Sequence, residues 1–146
     1  MRIYLDTCTI QRPLDESREP RVQHEAAAMM ELIDRMEAGE VELVRSRVLQ
    51  VEHVQNGDRG SWLFAERVLS HATEIVEIDR QVEQQTLAYR SLGVKGMDAV
   101  HLACAVHAGV DVLCTCDDRF LRRARRVDTG STRVLTPLEL IQEMRQ

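Results

Sequence analysis

Short β-rich runs alternate with longer helical patterns along the whole chain, and no feature constrains its fold more. Arg2-Ile3-Tyr4-Leu5-Asp6 reads as a buried strand, with three apolar residues in a row before a carboxylate. Further strands are predicted over residues 41–45, 74–78, 111–115 and 132–135. Helical spacing predicts helices over residues 21–38, 61–70, 81–91, 97–107 and 120–126, the first with an apolar set of Ala26, Met29, Met30, Ile33 and Met36. Ser46 is placed to cap a short helix carrying Val48, Leu49, Val51 and Glu52, and Asn56-Gly57 then breaks the chain. Thr136 caps a last helix that begins at Pro137, with Glu139 set for a capping box. Strands alternating with helices imply an α/β sandwich, with a mostly parallel, roughly five-stranded sheet flanked by helices.

At 146 residues a single domain spanning 1–146 is expected, large enough to bury a core without disulfides. The 24 acids and 19 bases give a net charge of −5, which argues against generic coating of nucleic acid but leaves room for a local basic patch. No apolar run reaches the length of a membrane span, and the start of the chain lacks a signal-peptide stretch, so a cytoplasmic location is expected. Cys8, Cys104, Cys114 and Cys116 lack the CxxC pairs of a closed zinc site; Cys114-Thr115-Cys116 sits in a strand-like run where buried thiols are ordinary, and Cys8 and Cys116 are placed to approach one another.

In open α/β sheets, sites form where the carboxyl ends of strands meet the following loops. Asp6 ends the first predicted strand, and Asp117 and Asp118 follow the fourth. Asp98 sits in an otherwise apolar helix and shares a face with His101 and Ala105. A carboxylate on a mostly buried helix needs a partner or a cation. Glu52 stands in a similar position after Val48, Leu49 and Val51. His101 has two readings: it meets a metal's water shell, or it bonds a neighbouring element, and buried imidazoles usually do the second. Arg119, Arg122, Arg123, Arg125 and Arg126 read as contacts to a phosphate backbone or as a solvated face paired with acids, with Arg12 a lesser candidate. The few scattered aromatics offer no stacking platform for single strands.

Taken in order, Tyr4-Leu5-Asp6-Thr7, Glu52, the run from Met97 to Ala103, and Thr115-Cys116-Asp117-Asp118-Arg119-Phe120 resemble the PIN-domain nucleases over essentially the whole chain. The stretch from Cys8 to Pro13 is similar to the VapC-type toxins of that family. The resemblance implies a carboxylate cluster that holds Mg²⁺ or Mn²⁺ and cleaves single-stranded RNA. Asp6, Asp98 and Asp117 are its implied core metal-site acids, and Glu52 the fourth. Thr115 matches the small hydroxyl residue that orients the site. Asp118 has no required place in that pattern; its route to the chemistry is through water. An antitoxin protein and a second copy of the chain are the further implied partners.

Two other classes compete. A HAD-type aspartyl phosphatase would use Asp6 as nucleophile, but the second acid of its motif is replaced by Cys8 and Lys95 is the only lysine. A non-catalytic PIN-like scaffold or partner-binding protein would keep the acids for folding alone, since fold does not dictate function.

Overall fold

Ile3, Tyr4 and Leu5 have no exposed surface, as a strand covered on both faces requires. The computed structural model describes residues 1–49 and 58–146. In chain order these form β1 (Arg2–Leu5), α1 (Thr7–Gln11), a 3₁₀ turn (Arg12–Leu14), α2 (Pro20–Glu37), β2 (Glu42–Ser46), α3 (Arg59–Leu69) and β3 (Ala72–Val76). They continue with α4 (Arg80–Ser91), α5 (Gly96–Ala108), β4 (Val112–Cys114), α6 (Asp118–Ala124), β5 (Arg133–Leu135) and α7 (Pro137–Met144). The five strands form one sheet in the order β3-β2-β1-β4-β5, and every pairing is parallel. The expected α/β sandwich is therefore present. Leu102, Ala103 and Cys104 of α5 join Leu113 of β4 and Leu43 of β2 in its core.

Local signals explain most helix ends. Thr136 caps α7 through the reciprocal capping box with Glu139. Asp79 caps α4 by accepting from Val82 N–H, and Gly109, with φ of 66°, closes α5 in the left-handed conformation that glycine tolerates.

Three expectations need correction. β3 begins two residues earlier than the predicted 74–78, and its register against β2 shifts between Leu43 and Val44. α1 is additional: Asp6 stands at the end of β1 as expected and also starts a helical turn. The predicted face of α2 is buried at Met29, Ile33 and Met36 but not throughout. Met30 is 45% exposed, whereas Glu25 is 1% exposed among Ala28, Met29 and Leu32. The pattern of apolar residues alone does not reveal a buried acid whose countercharges are Arg12 and, one turn earlier on the same helix, Arg21. Residues 47–49 are helical behind Ser46, whose Oγ accepts from Leu49 N–H at 3.5 Å. Val51, Glu52 and the Asn56-Gly57 break lie outside the described residues.

Candidate active site

The sheet order reverses between β1 and β4, so the connections leaving those two strands diverge and open a crevice at their carboxyl ends. That crevice, of 230 Å³, is lined by Asp6, Thr7, Cys8, Gln11, Met97, Asp98, His101 and Asp117. Three carboxylates from three separate elements thus face one space.

Asp6 is 4% exposed and held from several sides. Its Oδ1 accepts from Thr9 N–H at 3.1 Å and Thr9 Oγ1 at 2.7 Å, and Cys8 Sγ approaches the same oxygen at 3.2 Å. Its Oδ2 accepts from Thr115 Oγ1 at 2.5 Å. The Thr115 hydroxyl in turn accepts from Asp117 N–H at 3.0 Å, so one buried side chain ties the two strand ends together. Desolvation of the Cys8 sulfur and the adjacent Asp6 carboxylate push that thiol well above its usual pKa, and burial pushes Cys116 up to about 11. Both thiols therefore stay protonated at neutral pH.

Asp117 is exposed and caps α6, with Oδ1 accepting from Arg119 N–H at 2.9 Å and Phe120 N–H at 3.2 Å. Asp98 is half-buried in the first turn of α5, where the helix dipole favours an anion. His101, three residues on and 2% exposed, pairs Nδ1 with Tyr4 Oη at 2.7 Å, and the same phenol oxygen meets Ser46 Oγ at 2.7 Å. The local-partner reading of His101 fits this geometry, while its ring still borders the crevice.

The PIN domain pattern matches residues 3–126. The chain belongs to the PIN domain family. PIN domains are generally nucleases, that is, phosphodiester hydrolases. Among solved structures, the fold of this PIN domain is similar to a chain in the crystal structure of VapBC2 from Rickettsia felis bound to a DNA fragment from their promoter. That match has a TM-score of 0.64 at 13% identity and covers 92% of this chain and 98% of that one. No curated protein matches in sequence.

The remaining residues singled out in the sequence fall in different places within the PIN domain. Arg119 and Arg122 are exposed and Arg123 half-buried on α6, directly after Asp117. Arg125 has a structural use, reaching Val134 O at 3.1 Å and both oxygens of Glu139 at 3.0 Å. Arg12 is drawn away into ion pairs with Asp15 at 3.0 Å and Glu25 at 3.6 Å. Asp118 forms a two-pronged pair with Arg21, and that pairing holds its carboxyl below the usual range. Glu52 lies outside the described residues. Thr7, Gln11 and Met97 border the crevice without having been singled out. The spacing of Thr7 and Gln11, one helical turn apart, becomes a signal only once α1 is recognised.

Among the described residues, no three or more His, Cys, Asp or Glu are drawn together as a ready metal cage. Like charges repel, and here Asp6 and Asp117 turn instead to the hydroxyl and N–H donors beside them.

Proposed function

We propose that this PIN domain is a Mg²⁺- or Mn²⁺-dependent endoribonuclease that cleaves phosphodiester bonds of single-stranded RNA, and that it is the toxin of a toxin–antitoxin pair. The convergence of Asp6, Asp98 and Asp117 on one crevice at the reversal of strand order, in a family of nucleases, carries the reading. Those acids, with Glu52 as the fourth, would hold the cation. Carboxylate oxygens on separate elements are the donor set that hard divalent cations take, with no thiolate or imidazole required. Asp117 uses only Oδ1 in capping α6, which leaves Oδ2 for a ligand. Held by those acids, a divalent cation would supply a water of lowered pKa and positive charge to offset the phosphate.

The other roles follow from position. Thr115 orients Asp6 and Asp117, and His101 braces the α5 side of the crevice through Tyr4. Arg119, Arg122 and Arg123 contact the RNA backbone beside Asp117, with Asp118 acting through water. Arg12 serves mainly to hold structure. The antitoxin and a second copy are the expected protein partners. A cytoplasmic location accords with the finding that no described helix is long and apolar enough to cross a membrane.

The experiment is cleavage of a labelled, mixed-sequence single-stranded RNA with Mn²⁺, with Mg²⁺ and with EDTA, beside Asp98→Asn purified identically. Cleavage that needs the cation and disappears in Asp98→Asn is the expected result. Undiminished cleavage by Asp98→Asn overturns the carboxylate assignment. Absence of both cleavage and Mn²⁺ binding would favour the scaffold reading.

A further inference from the structure

Glu25 is an anomaly in the core-facing stripe of α2. It is 1% exposed, and neither of its carboxylate oxygens has a hydrogen-bond partner among the described residues. Its countercharges are Arg12 Nε and Arg21 Nε, each 3.6 Å from the same oxygen, Oε1. An ion buried without hydrogen bonds is costly, and removing one partner of such a pair strands the others.

Both arginines lead from Glu25 to the turn between β4 and α6. Arg21 grips the two oxygens of Asp118 at 2.6 Å each and reaches the carbonyl of Cys116 at 3.5 Å. Arg12 faces the Cys116 thiol. Asp117 stands between those two gripped residues. Arg12 also follows directly on α1, the helix that Asp6 caps. One carboxylate on α2 therefore gathers two side chains that hold the segments bearing Asp6 and Asp117.

We infer that Glu25 is a positioning residue: by drawing Arg12 and Arg21 together it sets the spacing of the Asp6 and Asp117 carboxylates across the crevice. This rests on the metal-site reading above. Glu25 touches no reacting atom and acts only through the arginines.

The test is calorimetric titration of Mn²⁺ into the parent, Arg21→Gln, Glu25→Gln and the double variant, each well below its melting temperature. The sign for Arg21→Gln is diagnostic. Deleting a cation near a carboxylate cluster strengthens cation binding if charge alone matters. Positioning predicts the reverse, a loss of roughly 10-fold in Mn²⁺ affinity, as when the supports of metal ligands are removed. The double variant should then be no weaker than the weaker single, because both changes break one linkage. Equal or tighter binding by Arg21→Gln overturns the inference, while a parent that takes up no Mn²⁺ overturns the metal-site reading and this inference with it. Arg21 is 48% exposed, so that arm holds even where Glu25→Gln fails to fold.

Discussion

Asp6 and Asp117 stand just past the ends of neighbouring strands and each caps the helix that follows, yet their surroundings differ sharply. Asp6 is buried, with donors on both oxygens, while Asp117 is open to solvent and caps through one oxygen. The same residue type in the same local motif is held on all sides in one turn and faces solvent in the other. Burial and a neighbouring strand make the difference. β1 is central and its turn is roofed by Thr9 and Thr115, whereas the turn after β4 opens onto the short, arginine-rich α6.

The comparison can be broken most forcefully at its two ends. Asp6→Asn and Asp117→Asn should both reduce RNA cleavage to background, but only the first should unfold readily. An amide at position 6 places N–H groups against donors, a loss of about 1–3 kcal/mol from unsatisfied buried groups. Asparagine caps helices as well as aspartate does, so Asp117→Asn should cost well under about 1 kcal/mol. Urea denaturation beside the cleavage assay checks both, and equal destabilisation would erase the distinction.

A smaller effect is expected at the link between the turns. Thr115→Val keeps shape but removes the hydroxyl shared by Asp6 and Asp117, and it should lower stability by about 1 kcal/mol. It should also lower Mn²⁺ affinity by roughly 10-fold. Thr115→Ser should restore both, and a Ser variant no better than Val would assign the residue to packing alone.

The smallest effect lies far from either turn and serves as a control. Arg145 and Arg35 hydrogen-bond Glu31 and hold its carboxyl below the ordinary range. A depressed carboxylate stabilises the fold above its unfolded pKa of about 4.3, and that contribution is lost as pH falls through the lower folded value. Glu31→Gln should therefore lower the melting temperature slightly at pH 7, lower it less near pH 3, and spare RNA cleavage. Melting curves at the two pH values decide it.

Much of this arrangement was legible in the chain itself, for identifiable reasons. Alternating periods located all five strands, and the capping signature at Thr136 located α7. Asp6 and Asp117 could be gathered in advance because strand ends in a parallel sheet share an edge, and Asp98 because it is an acid in an otherwise apolar helix. The buried Glu25 could not, since its meaning depends on arginines supplied by another element and by the preceding turn of its own helix. The engagement of Arg12 and Arg125 was equally hidden. A run of arginines looks alike in sequence whether its members face phosphate or, like Arg125, a glutamate fourteen residues on.

The Thr115 to Asp6 hydrogen bond spans 109 positions of sequence, and β1 finds β4 only after that long loop closes. Contacts of such separation form slowly and late. During synthesis Asp6 emerges early but lacks its opposing strand until Thr115 and Asp117 have cleared the ribosome. A nascent chain therefore holds the Asp6 carboxylate without the hydroxyl and the second strand end that surround it in the finished fold.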